Sequence, residues 1–580
     1  MKRSLVVSLL AGLPWGLGAA PLQPREDLLL FVNGDQLHGS FLGLKEGLVT
    51  VWQRADLTAP GEFKATRIQK IILRAGRPEK SNEGLAHVAL VNGDRIPGTL
   101  TALDDETVTL ETTCAGGMRI PRKLVGMVAP LPLGGRVLYH GPYSEDGWLM
   151  INPNFPDGIP ALTPLADDPK DQAKAKDKDK TKDDAKDDAK DEAKDDAKDD
   201  AKDDAKDEAK DEEDKPVPAA AAVAGEEGQG QDPDAKKAPI PRWDFSGAAW
   251  YWNQKQGATA LVRKSVMTDR SILRFNLAWR NRLMLCLAFH ADFARPPQAA
   301  AAADGDKAKD EAKQRMLMNR LGSGDPSGFP LLFGNSYVLQ INSGYAMLLR
   351  CGYDDKGNPV TERLEVNNPG IRLTETGSAT FELRCDRLKG AILLFIGDEL
   401  AMQWAEPGLA NDGGSGSYAG KGGGFGFLVQ MEKSPVRISD VVVAEWNGMP
   451  DSARSMQVAE QDIVLLANGT DRFSGQVTGF QNGKLRLHGK FGDFSFPLDA
   501  IAEVRFASNN LAKHEDSNAE RIVIRLDPIG NLSGQPLSGD AHSLKLLTPY
   551  AGEINLKLES ATILDFQPST NYLDDWDPQF

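Results

Sequence analysis

The chain has 580 residues, 41% of them hydrophobic, and a formal net charge of −16. That length is too great for one core and predicts three to five domains. No clustered basic face is visible, so a nucleic-acid partner is not expected. Four cysteines exclude a disulfide-dense scaffold. At the start, Lys2 and Arg3 precede an apolar run from Leu5 to Leu13, followed by the small residues Gly16, Gly18, Ala19 and Ala20. This predicts an export signal over residues 1–20, cut after Gly18 or Ala19 because Pro21 blocks a cut after Ala20. A retained signal anchor is the alternative. No later segment approaches the ~18 apolar residues that cross a bilayer, so the mature chain is not expected to span a membrane.

Two segments then repeat. Leu28 to Trp52 and His87 to Thr112 each carry a strand-like run, an Asn-Gly-Asp turn (Asn33-Gly34-Asp35, Asn92-Gly93-Asp94) and a Gly six residues after the Asn. Asn-Gly accepts φ > 0 and is the strongest short hairpin signal. A second hairpin and an apolar alternation (Ile68 to Leu73, Leu124 to Val128) close each unit. The predicted boundaries are 27–80 and 81–135, with a connector over 136–165. Asp35 and Asp94 invite a cation or sugar site, but local turn chemistry is the preferred reading.

Between Asp167 and Lys215 the text is built from KDDA and KDEA units. It holds 23 acidic residues and 14 lysines, which is −9 of the chain's −16. The folded parts are therefore only mildly acidic. The segment 166–240 has no apolar face to bury and is expected as a coil or fluctuating helix, reaching roughly 40 to 75 Å. A plain spacer is preferred over a cation-binding tail.

From 241 to 449 short strand-like runs recur, among them Ser271 to Leu277, Arg282 to His290, Tyr337 to Ile341, Phe425 to Met431 and Val436 to Trp446. Regular short strands with turns between them predict a β-sandwich. An Ala-, Asp- and Lys-rich insertion, Pro296 to Arg315, reads as a surface insertion. The repeat then returns, with one residue inserted, as IVLLANGTDRFSG from Ile463, in a unit over 457–510. A degenerate copy over 518–568 begins IVIRLDPIGNLSG at Ile522. The inserted Thr470 separates Asp from Gly in the third copy and favours turn chemistry over a ligand site.

The four repeats resemble SH3-like or Sm-like small barrels of exported bacterial multidomain proteins. The central segment FELRCDRLKGAILLFIGDELAMQW, with GGGFGFLVQ and VRISDVVVAEWNG, resembles a concanavalin A-like or laminin-G-like jelly roll. The fold class expected is thus all-β: a two-sheet jelly roll with small five-stranded units on both sides and a charged linker. The resemblance implies binding of carbohydrate or protein, in some members through calcium. Asp398 precedes Glu399 where that family has Asp-Gly, and no calcium-ligand cluster carries over, so no cofactor is expected.

The chemistry-bearing residues give no catalytic grouping. The ExDxE and ExDxxE spacings of jelly-roll glycanases are missing from the central segment, and the seven histidines are scattered. Cysteine spacing does not support zinc; one disulfide, with Cys351–Cys385 as first choice, or buried free thiols are both open. Exposed rings are the remaining ligand candidates: Trp250, Tyr251, Trp252, Trp404 and Tyr418. Along one strand Trp250 and Trp252 share a face opposite Tyr251, and one face is expected in the core. The expected function is an exported non-catalytic binding or scaffold protein contacting carbohydrate or an envelope protein. The alternatives are a sandwich-type carbohydrate-active hydrolase and a structural assembly subunit.

Overall fold

In a computed structural model, the chain is described over residues 26–46, 48–73, 86–130, 136–152, 155–160, 242–253, 259–295, 316, 325–365, 370–397, 399–407, 409, 417–430, 434–446, 448, 459–468, 471–513, 521–526, 529–568, 572–573 and 575–576. The expected export signal, the charged tract and the Pro296–Arg315 insertion lie outside those residues. The described part is nearly all β and falls within a single compact unit.

Each copy of the repeat makes five strands. In the first they are Asp27–Phe31, Gln36–Lys45, Val49–Gln53, Gly61–Lys64 and Ile68–Ile72, with a 3-10 turn, Ala65–Arg67, before the last. The first strand pairs antiparallel with both the second and the fifth, so the meander curls back on itself. The other copies repeat this pattern from Ala86 to Ala129, from Asp462 to Arg505 and from Ile522 to Asp565. Alternation drives it: in Lys484–Gly489 every second residue is buried, as expected of a strand with one wet face. Gly34 and Gly93 sit at φ 88° and 89°, the left-handed region the turn requires. The later glycine answers a different need. A Cβ on Gly475 would lie 2.2 Å from the His488 carbonyl oxygen, so the second strand crosses the third only if that side chain is missing.

The four units do not associate in chain order. The fifth strands of the first and fourth units pair at Ile72↔Ile563, and their second strands meet at Gly43↔Asp540. The fourth then meets the second at Asn531↔Arg95. The second meets the third at Met127↔Arg505 and Phe480↔Leu103. The spatial sequence is therefore first, fourth, second, third, and twenty strands form one hydrogen-bonded system over a shared apolar core.

The central segment folds as a two-sheet sandwich with eight strands in each sheet. One sheet runs Asp244–Ser246, Ala249–Trp252, Val436–Glu445, Arg270–Trp279, Gly377–Asp386, Ala391–Ile396, Glu399–Ala405, with Val137–Gly141 as an eighth strand paired off this path to Val436–Glu445. The other runs Phe155–Pro160, Trp148–Asn152, Ala260–Arg263, Gly424–Val429, Met284–Ala291, Ser336–Asn342, Tyr345–Tyr353, Pro359–Leu364. Leu273, Phe275, Leu285, Leu287, Phe381, Phe427 and Ile438 fill the space between them. A short helix, Phe329–Phe333, covers part of the second sheet's outer side.

One expectation needs correction here, and one choice left open is decided. The segment 136–165 is more than a connector. Val137–Gly141 pairs with Val436–Glu445, and Trp148–Asn152 pairs with Ala260–Arg263, which places Trp148 in the sandwich core. No disulfide joins Cys351 to Cys385, because Cys385 lies between the sheets and Cys351 lies on the outer side of the second sheet. All four cysteines are free and buried.

Candidate functional site

Where the first strand unit meets the sandwich, an open groove of about 590 Å³ is lined by Phe31, Asp35, Gln36, Leu37, Phe63, Phe245 and Ser246. That volume falls in the range of small-molecule sites. Its geometry follows from the turn. Phe31 ends the first strand, and its N–H donates to the Asp35 carbonyl at 2.9 Å, folding the Asn-Gly-Asp turn over the groove's edge. Asp35 Oδ2 accepts from Asn33 Nδ2 at 2.6 Å, and the residue is exposed. Phe63, on the fourth strand, meets Phe31 edge-on with ring centroids 5.3 Å apart. Gln36 Nε2 donates to Ser246 Oγ at 2.6 Å, which ties the unit to the sandwich strand that carries Phe245. The groove therefore presents three partly exposed phenyl rings around a strip holding a carboxylate, an amide and a hydroxyl.

Most of the expected ring candidates lie elsewhere. Trp250, Tyr251, Trp252 and Trp404 are buried to 2% exposure or less and offer no face to a ligand. Trp250, Trp252 and Trp404 belong to the core between the sheets. The Nε1 groups of Trp250 and Trp404 are buried without an acceptor, a cost that the packing of the two rings offsets. Tyr251 points to the other side, where the C-terminal Trp576 covers it. Trp250 still bears on the groove, because its ring backs Phe245 at 5.1 Å. Tyr418 is partly exposed, but its hydroxyl shares a 2.8 Å hydrogen bond with His290 Nδ1 and its ring lies 4.7 Å from Tyr337. Burial pushes the Tyr418 phenol well above its usual range.

The twin turn at Asp94 has a different role. Asp94 is 2% exposed, and its Oδ2 accepts from the Ser533 N–H at 2.9 Å and Ser533 Oγ at 2.8 Å, joining the second unit to the fourth. A second cavity of about 30 Å³, room for little more than one water, lies at the junction of sandwich, first unit, fourth unit and C-terminal segment. Lys70 pairs with Asp575 at 2.8 Å there, and Arg525 with Asp440 at 3.4 Å. Burial acts to raise Asp440, but the hydrogen bond to His140 and the Arg525 charge outweigh it and hold the carboxyl well below its usual range. These paired charges fasten the parts together.

Phe31, Phe63 and Phe245 escaped the sequence reading. A signal exists for Phe31 alone: at its position the other copies carry Leu90, Leu466 and Leu526, so an aromatic marks a departure from the repeat, whereas the Phe63 position is also Phe (Phe496) in the third copy. Chemically the groove can stack a ring-shaped ligand and hydrogen-bond its periphery. Asp35 is the one carboxylate among the described lining residues. Glycoside hydrolysis in its common form uses two. Among the described residues there is no group of three or more His, Cys, Asp or Glu side chains placed to hold a metal ion.

No protein-family model and no curated protein matches the chain. Several solved structures are similar over about a third of it. They include a carbohydrate binding module, CBM66, from Bacillus subtilis (9% identity, covering 35% of this chain and 92% of that chain, TM-score 0.20). A Bacillus subtilis protein of unknown function with a galectin-like fold shares 14% identity over 35% of this chain and 86% of its own, with a TM-score of 0.19. An endo-beta-1,4-glucuronan lyase from the fungus Trichoderma reesei shares 8% identity over 36% of this chain and 85% of its own, with a TM-score of 0.21.

Proposed function

We propose that the chain is an exported carbohydrate-binding protein whose ligand seats in the groove between the first strand unit and a lectin-like sandwich. The observation that carries this reading is the convergence of the partly exposed Phe31, Phe63 and Phe245 rings on Asp35, Gln36 and Ser246. A sugar ring has an apolar C–H face and a hydroxylated rim, and it needs an aromatic platform beside groups that accept and donate hydrogen bonds. Export rests on the N-terminal Lys2-Arg3 pair, the apolar run and the small residues after it.

The test is to screen the intact chain against an array of neutral and uronic-acid oligosaccharides and measure the best binder by titration calorimetry. Phe63→Ala and Phe245→Ala should each weaken binding by roughly tenfold, or about 1.4 kcal/mol. Thermal unfolding run alongside checks that the variants remain folded. The proposal fails if the array yields no binder, or if both ring deletions leave affinity unchanged.

A further inference from the structure

The second and fourth units pack like face to like face. Two equivalent side chains, Ile96 and Leu532, each two residues beyond the turn, are fully buried. The tips of the two third-to-fourth-strand hairpins reach across as well. The Cys114 carbonyl, at the tip of the second unit, accepts from the Lys557 N–H of the fourth at 2.7 Å. Tyr550, at the tip of the fourth, is 4% exposed and lies beside Asp94 of the second. Each unit offers the other its turn and its tip, which is the reciprocity of a two-fold interface.

The third unit carries the same face in a more aromatic form. Phe473 stands two residues beyond its turn, where Ile96 and Leu532 stand in the paired units. Phe473 contacts Phe494 and Phe496 at centroid distances of 5.0 and 4.8 Å, and Phe473 and Phe494 stay partly exposed. At its hairpin tip, one residue shorter than the tip that carries the buried Tyr550, Phe491 is 89% exposed. The chain thus shows one such aromatic tip covered by a sister unit and another bare.

We propose that a second copy of this chain covers that face, third unit against third unit, with each Phe491 seated beside the turn of the other copy. The occupant is chosen by the second and fourth units, which show that this face is complementary to its own kind. An isologous contact of this sort closes at two copies and leaves the groove of the first unit free. The proposal does not depend on the carbohydrate reading.

Sedimentation equilibrium of the intact chain over roughly a hundredfold range of concentration tests it. The expected result is a reversible dimer, with Phe491→Asp raising its dissociation constant by roughly a hundredfold and leaving the melting temperature in place. Phe473→Asp, read with far-UV circular dichroism, is the second variant and should also give monomer. A chain that stays monomeric throughout overturns the proposal. So does a dimer that both substitutions leave intact, since it would use another surface.

Discussion

Replacing Asp94 with alanine separates what the repeated turn does locally from what it does between units. Asp35 and Asp94 occupy the same place in the same motif, yet Asp35 is exposed and bonded to its own turn, while Asp94 is 2% exposed and bonded to Ser533 of the fourth unit. Deleting the Asp94 carboxylate leaves the Ser533 N–H and hydroxyl without this acceptor inside a closed interface. Hydrogen bonds to a charged group contribute about 1.5–3 kcal/mol, and a buried donor left unpaired costs about 1–3 kcal/mol. The expected loss for Asp94→Ala is about 3–5 kcal/mol, against under ~1 kcal/mol for Asp35→Ala. At a guanidinium slope of ~5 kcal/mol/M the larger loss moves the unfolding midpoint by about 0.6–1 M. Hydrogen exchange at Ile96 and Leu532 locates the damage. A cycle with Ser533→Ala should show a coupling above ~1 kcal/mol. Equal midpoint shifts for Asp35→Ala and Asp94→Ala would refute the reasoning, since both residues would then be doing turn chemistry alone.

Other outcomes follow from burial. His87 and His290 are lowered from 6.5 to about 4 by desolvation. The unfolded chain therefore takes up these protons first as the pH drops. Their contribution is full above about pH 6.5 and is lost toward pH 4, roughly 3 kcal/mol each at the limit. Melting temperatures from pH 7.5 to 4.5 should fall with that slope, and a slope unchanged in both His87→Gln and His290→Gln would contradict the assignment. Trp576 is 5% exposed, meets the Tyr251 ring at 5.8 Å and lies under the Arg280 guanidinium at 4.4 Å. Trp576→Ala should cost about 2–4 kcal/mol of stability and expose Tyr251 to solvent, read by denaturation and quenching. The four cysteines, free and buried with thiols pushed upward by desolvation, should resist a thiol reagent in the native chain. All four should react once it is unfolded, and fast labelling of the native chain would speak against their placement.

The parts of this fold that were legible in the sequence are those set by neighbours along the chain. The Asn-Gly-Asp turns announce the hairpins because glycine's backbone freedom and the aspartate's hydrogen bond act within a few residues. Alternation placed Trp250 and Trp252 on one face and Tyr251 on the other, and the structure keeps that arrangement. What covers each face was not legible, because the cover comes from far away. Trp576 lies 325 positions beyond Tyr251, and Ser533 lies 439 beyond Asp94. The strands Val137–Gly141 and Trp148–Asn152 were missed for a related reason. Each is five residues long and set among glycines and prolines, and only their partners in the sandwich make them strands. The groove shares this character, since its two walls belong to segments that local pattern assigns to different domains.

The order first, fourth, second, third also acts in time. Ribosomes add about 5–20 residues per second, so Ser533 follows Asp94 out by about 20 to 90 s. Throughout that interval the second unit's Ile96 face stands uncovered, and the fourth unit that will seal it does not yet exist. Most small strand modules mature as they emerge; this assembly finishes only when its last unit arrives. A nascent chain stalled just after the third unit would hold three of its four strand units and still lack the piece that joins the first to the second.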